Sequence, residues 1–169
     1  MSGKARAVTL DLDPGRFRFS VWRNVSITIW TAQATMDAGE RVLRISRELN
    51  EQFPEGRSQV MVVADGTLPP DQATSEMMTE IYNPALSRIV CIAAVLEGTG
   101  FWASGIRSRM TNMRIAGGNV MAIRTQETVE EVAEWLPEEH AQRTGVVLNP
   151  AELKSVLQEV RALGTRDQK

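Results

Sequence analysis

Between Arg16 and Trp22 polar and apolar residues alternate, the period-two signature of a half-buried β-strand. The apolar-rich segment Val8 to Leu12 precedes it. Asp13-Pro14-Gly15 supplies the turn, because Pro14 presets φ and Gly15 accepts a positive value. A second short turn at Arg23-Asn24 leads into Ser26 to Trp30, so the chain is expected to open as an antiparallel meander. The period then lengthens. Val42, Ile45, Leu49 and Phe53 recur at helical spacing, with Thr35 as cap, Asp37 and Glu40 in the first turn, and Pro54 and Gly56 as terminators.

Beyond Gly56, strand and helix patterns take turns. Gln59 to Val63 reads as a short buried strand, Asp65 to Pro70 as a loop, and Ala73, Met77, Met78 and Ile81 as one face of a helix whose methionines fill the core. Ile89 to Ala94 is the next strand, followed by a helix carrying Phe101, Trp102, Ile106, Met110 and Met113 that breaks at Gly117-Gly118. A further strand is expected at Val120 to Ile123, then a helix from Thr125 to Leu136, striped by Val129, Val132, Ala133 and Leu136 and interrupted or kinked at Pro137. Asn149 caps the last helix, Pro150 suits its first position, and Glu152 is placed to close a capping box; Leu153, Val156, Leu157, Val160 and Leu163 form its apolar stripe.

Strands alternating with helices imply crossover connections. The expected fold class is α/β: a single mixed β-sheet, an N-terminal antiparallel meander followed by largely parallel strands, with crossover helices and a C-terminal amphipathic helix. Residues 1–148 would form the α/β domain, 149–163 a helix packed on that domain or on a second subunit, and 164–169 a flexible tail.

Composition narrows the function classes. A chain of 169 residues, 43% hydrophobic and 24% charged, is sized for one domain with a full core. Its 19 basic and 21 acidic residues leave a formal charge of −2, no field to draw a polyanion, so nucleic acid is not an expected partner. The longest apolar run, Ile89 to Leu96, is too short to span a bilayer, and Met1-Ser-Gly-Lys4 lacks the apolar block of a signal peptide; no transmembrane segment is expected. The lone Cys91 inside that run forms no intrachain disulfide, which fits a reducing, cytoplasmic setting.

The order meander, helix, strand, helix, strand, helix, strand, helix, with a closing Arg124-Thr125 and Val129-Glu-Glu-Val-Ala-Glu-Trp-Leu136, resembles STAS-like domains, the superfamily of anti-sigma-factor antagonists, over about residues 8–139. The resemblance implies a partner-binding or ligand-binding domain of signalling type, without chemistry of its own. In the signalling branch a phosphorylatable Ser or Thr follows an Asp at a helix start. Here the corresponding region reads Asp71-Gln-Ala-Thr74-Ser75, which departs from that motif and leaves Thr74 and Ser75 as the phosphorylation candidates.

Loops leaving the carboxyl ends of parallel strands gather on one edge, where ligands bind. Three such loops are expected here: Asp65, Gly66 and Thr67; Glu97, Gly98, Thr99 and Gly100; and Arg124 with Thr125. Gly98-Thr99-Gly100 before a helix would present N–H groups to an anion, although the full Gly-x-Gly-x-x-Gly or Walker spacing is missing and Glu97 would oppose a phosphate. Catalytic residues are not assigned. His140, the single histidine, stands beside Glu138 and Glu139 after Pro137 and is expected on a solvated helix face, while Cys91 in an apolar strand would be a poor nucleophile. One histidine and one cysteine do not make a zinc set, and neither a metal nor a cofactor is expected.

Asp65 and Glu97 would serve acid–base chemistry only if burial separated their pKa values; capping of loop N–H groups is the simpler role. Phe101, Trp102, Arg107, Arg109 and Arg114 would suit an anionic membrane or an acidic partner, but core packing accounts for the aromatics more simply. The leading expectation is a non-enzymatic regulatory or interaction domain that docks another cytoplasmic protein or self-associates. The alternatives are a binder of a lipid or a small apolar or anionic molecule, in a pocket between the sheet edge and the Phe101–Met113 helix, and an enzyme using the loop carboxylates.

Overall fold

Pro14 and Gly15 close the first hairpin as their chemistry dictates: Gly15 has φ 73° and the Arg16 N–H donates to the Asp13 carbonyl at 3.0 Å. The hairpin joins β1 (Val8–Asp13) to β2 (Phe17–Trp22), and a two-residue turn that places Arg23 at φ 52° leads to β3 (Val25–Trp30). From β3 onward each strand is followed by a helix: α1 (Met36–Gln52), β4 (Arg57–Val63), α2 (Gln72–Thr79) with a short 3₁₀ turn at Glu80–Tyr82, β5 (Ile89–Leu96), α3 (Phe101–Gly117), β6 (Ala122–Gln126), α4 (Val129–Thr144) and α5 (Pro150–Arg166). This computed structural model describes residues 6–98, 101–117 and 121–166.

All six strands form one sheet in the order β1-β2-β3-β4-β5-β6, antiparallel as far as β3 and parallel from β3 to β6. The fold is thus the mixed α/β sheet with crossover helices and a C-terminal helix that the residue pattern predicts. Every crossover steps to the neighbouring strand in the same direction. With right-handed connections, α1, α2 and α3 therefore share one face of the sheet, and α4 and α5 are left for the other.

The core divides into two layers. Phe17, Phe19, Trp30, Met61, Ile92 and Leu96 meet α1 to α3, whereas Val25, Ile27, Val60, Val62, Cys91 and Val95 meet α4 and α5. Both faces of β3 and β4 are covered, and all their residues are buried. α5 buries Leu153, Val156, Leu157 and Val160 against α4 and against β2 and β3 of its own sheet. Four such side chains contribute on the order of 6–12 kcal/mol of gross hydrophobic stabilisation.

β4 and β5 each run two residues beyond their sequence signals, β4 starting at Arg57 and β5 ending at Leu96, and three further elements also differ in extent. β6 begins at Ala122 and runs through Arg124 and Thr125 to Gln126, so Arg124 and Thr125 belong to a strand and not to the loop after it. An edge strand tolerates exposed polar residues, which is why their polarity did not mark a loop. α4 continues past Pro137 to Thr144 and ends at Gly145 in the left-handed region (φ 75°). Burial of Leu136, Pro137 and His140 against the sheet outweighs the backbone hydrogen bond that proline removes. α5 likewise runs on past Gly164 to Arg166, because one glycine costs only about 1 kcal/mol in a helix.

Candidate functional site

At the carboxyl edge the expected loop residues separate into different environments. Asp65 and Gly66 are exposed at a tight turn with Gly66 at φ 79°, while Thr67 is buried, its hydroxyl donating to the Trp30 carbonyl at 3.3 Å. Gly98, at φ 87°, lies directly under the Asp65 carboxylate, and a Cβ there would collide with it. Glu97 is not free: the Arg161 guanidinium grips both its oxygens at 2.6 Å, joining the end of β5 to α5. The edge thus brings Asp65 against Gly98, but ties Glu97 to α5. Thr99 and Gly100 lie outside the described residues. Arg124 and Thr125 line a separate groove at the β6 edge.

Thr74 and Ser75 sit in the first turn of α2, where Asp71 caps the helix by accepting the Thr74 N–H at 2.8 Å. The backbone bond and the Thr74 hydroxyl both lower the Asp71 pKa. Both candidate hydroxyl residues are buried, so their side chains face the interior.

What the edge does contain is an apolar pocket of about 110 Å³. Its floor is Trp30, Met61 and Val63 of the sheet, its walls are α2 and α3, and the Thr67–Pro70 segment forms its rim. Local chemistry holds it open. Pro69-Pro70 stiffens the rim, the Gln33 side-chain amide anchors it through the Pro69 carbonyl at 2.7 Å, and Trp30 is braced by the Phe17 ring at 5.1 Å. Ala32 and Ala34 leave room where larger side chains would fill the space. Met61, Met78 and Met110 give the lining an adaptable shape.

Among the described residues no charged side chain lines this pocket, and its Thr67 and Thr79 hydroxyls donate to the Trp30 and Ser75 carbonyls. An anion would find no counter-charge there. Leu68 at the rim is 61% exposed, which extends the apolar surface outward. Volume is the one property of this site that the residue pattern could not supply. The Leu68-Pro69-Pro70 run, an exposed apolar residue ahead of two rigid ones, was the available signal.

His140 is a correction to the sequence reading. It is fully buried, facing β4, instead of lying on a solvated helix face. The spacing Val132, Leu136, His140 continues the apolar stripe of α4, and only the expectation of a break at Pro137 hid it. Asn24 Nδ2 donates to the Gly56 carbonyl at 3.0 Å, leaving Asn24 Oδ1 to accept from His140 Nε2 at 2.9 Å. Nδ1 is then the imidazole's acceptor, and the Ser58 hydroxyl donates to it at 2.6 Å. Cys91 stands opposite Ser58 in the β4–β5 register, beside the same hydroxyl.

This chain of thiol, hydroxyl, imidazole and amide has the residue types of a nucleophilic site. Burial denies it a substrate: Ser58, Cys91 and His140 are all inaccessible. It also pushes the Cys91 thiol up to about 11, against the opposing effect of the Ser58 hydroxyl, and His140 down to about 4. The cluster is a latch between α4, β4, β5 and the β2–β3 turn.

A second buried polar cluster lies under α1 on the opposite face. The fully buried Arg57 guanidinium donates to Ser26 Oγ at 2.6 Å, Asn50 Oδ1 at 3.0 Å and the Ser46 carbonyl at 3.4 Å. These acceptors are all neutral, and burial lowers Arg57 to about 10. Among the described residues no group of three or more His, Cys, Asp or Glu side chains is arranged to hold a metal ion, and no helix is long and apolar enough to cross a membrane. Compared with known proteins, the chain matches no family model and no curated protein.

Proposed function

We propose that this is a non-enzymatic binding domain that takes a small, uncharged apolar ligand in the carboxyl-edge pocket. The observation that carries the reading is the pocket itself, about 110 Å³ without a charged lining residue among the described ones, at the sheet edge where open α/β folds bind ligands. Dry apolar cavities of about 150 Å³ admit a benzene ring; this pocket is smaller but open at its rim, so it suits part of a small ring or the end of an aliphatic chain. Neither of the two reactive groupings elsewhere in the fold competes. Glu97 is neutralised by Arg161, and the Ser58–His140 pair is sealed in the core. The element order that carries the resemblance to STAS-like domains supports a regulatory setting, and the free, buried Cys91 supports a reducing, cytoplasmic one.

Toluene and 1-hexanol are suitable probes. Each is expected to raise the melting temperature in proportion to the logarithm of its concentration above Kd. Ala32→Phe, which fills the pocket, is expected to abolish the shift while leaving the protein folded by circular dichroism. Native mass spectrometry of protein purified from its own host is expected to show a retained mass. Absence of any shift with either probe, or an equal shift in Ala32→Phe, overturns the proposal.

One observation favours a second reading, docking of a protein at the same edge. Leu68 stands 61% exposed beside the exposed Asp65. In that case Leu68→Ala and Asp65→Arg would reduce partner recovery from native lysate while the probe-induced shifts persist.

A further inference from the structure

A second groove follows the outer edge of the sheet. Three consecutive residues of β6, Arg124, Thr125 and Gln126, line it together with Arg107 of α3 and a wall of α4 that includes Glu131, Glu134 and Glu138; its volume is about 860 Å³. Because α3 and α4 cover opposite faces of the sheet, a groove bounded by both and floored by successive strand residues is the open edge of β6 itself. Among the described residues no strand pairs with that edge. Its outward N–H and C=O groups form a template for an added strand.

The side chains around it sort by face. Arg124 and Gln126 pair with Ala93 and Val95 and so face α4, whereas Thr125 pairs with Ala94 and faces α3. Among the described residues of the groove four carboxylates, of Glu127, Glu131, Glu134 and Glu138, stand against the guanidiniums of Arg107 and Arg124. The Arg124 guanidinium is 5.8 Å from the Trp135 ring. Glu131 is held in place on the wall, since its Oε2 accepts the Glu127 and Thr128 N–H groups at 2.8 and 3.3 Å.

Gln126 supplies an independent observation. It is 7% exposed, and its Nε2 donates to the Glu131 carbonyl at 2.7 Å, yet its buried Oε1 meets no donor among the described residues. A buried acceptor left unpaired is costly, and a donor brought from outside relieves it. Acceptors and a net negative charge, the carboxylates of Glu131, Glu134 and Glu138 against the one guanidinium of Arg124, therefore wait on the α4 side of an open strand edge.

We propose that the β6 edge binds an extended segment of a partner protein, added as a further strand, with lysine or arginine at alternate positions facing α4. One of those basic side chains donates to Gln126 Oε1 and its neighbours pair with Glu134 and Glu138. Intervening residues face α3, where Arg107 favours a neutral or acidic side chain. Alternation follows from strand geometry, in which successive side chains point to opposite faces.

Fluorescence anisotropy with a short labelled peptide alternating lysine and valine tests it, beside a glutamate–valine control and a lysine–valine peptide N-methylated at alternate backbone nitrogens. The basic peptide is expected to bind, the acidic one not, and the N-methylated one at least about tenfold more weakly, because N-methylation removes strand-pairing donors. Glu134→Lys with Glu138→Lys is expected to cost at least about tenfold in affinity, with circular dichroism unchanged at these surface positions. Equal binding of the N-methylated peptide would reduce the site to unspecific charge attraction and overturn strand addition. Equal binding of the acidic peptide, or no binding of the basic one, overturns the proposal outright. Light scattering that shows a dimer dissolved by the same double substitution would assign the edge to a second copy of this chain and overturn the peptide partner.

Discussion

Lowering the pH from 7 to 4.5 is expected to weaken this protein through one residue. The imidazole of His140 is folded against Ser58 and Asn24 in its neutral form, its pKa pushed by burial from 6.5 down to about 4. Glu55 acts weakly in the opposite direction. Between those values the unfolded chain binds the proton more readily than the folded one, so stability is complete above about pH 6.5 and falls as the pH drops toward about 4. The two pKa values give a loss of about 2.5 kcal/mol between pH 7 and pH 4.5, from the linkage relation at 25 °C. For a chain of this length that corresponds to a fall in Tm of about 5–10 °C.

Urea titrations at pH 7 and pH 4.5, on the wild type and on His140→Gln, isolate the effect from that of the carboxylates. The variant is expected to be weaker at pH 7 but to lose about 2 kcal/mol less on acidification. Since the chain has a single histidine, its imidazole proton resonances also report the titration directly. A folded-state midpoint near 6.5, or parallel losses in the two proteins, would refute the buried neutral imidazole.

Other perturbations separate the remaining elements. Gly98→Ala is expected to cost at least about 2 kcal/mol, from positive φ and collision with Asp65, against about 1 kcal/mol for Gly66→Ala, whose Cβ would meet open space; denaturation midpoints of the pair compare them. Arg57→Met is expected to lose about 2–4 kcal/mol in urea titration, because Ser26, Asn50 and the Ser46 carbonyl lose their donor together. Deletion of residues 149–169 bares Val25, Ile27 and Ile29 and removes burial comparable with a whole domain's net stability, so circular dichroism is expected to show an unfolded or aggregated chain. A folded monomer after that deletion would mean that α5 contributes little to the core.

Local chemistry made most of the architecture legible. Pro14-Gly15 marks its turn because only glycine readily takes the positive φ there, and the stripes of α1 and α5 repeat over enough turns to exclude a strand. Features that depend on several elements meeting were not visible. Gln59 reads as the start of a buried strand, but nothing marks Arg57, two residues before it, as part of the same strand, although the face they share is buried beneath α1. His140 was misplaced because a proline usually breaks the helical period, and here tertiary packing carries the helix through. Glu97 read as a free loop carboxylate since its partner, Arg161, lies in a helix distant in sequence. The pocket is a volume left between Trp30, α2 and α3, and no run of letters measures a space.

The unbroken strand order has a bearing on how the chain assembles. Each strand finds its partner in the strand just before it, so the entire sheet zips up in the direction of synthesis with every pairing step short in loop length. α5 must travel back to seal β2 and β3 after five elements, β4, α2, β5, α3 and β6, have been laid down between α1 and α4. Until it arrives, half of one face is bare. The last helix is therefore the closing stone of the molecule, and the interval before it docks is when the nascent chain is most exposed to chaperones, proteases and its own neighbours.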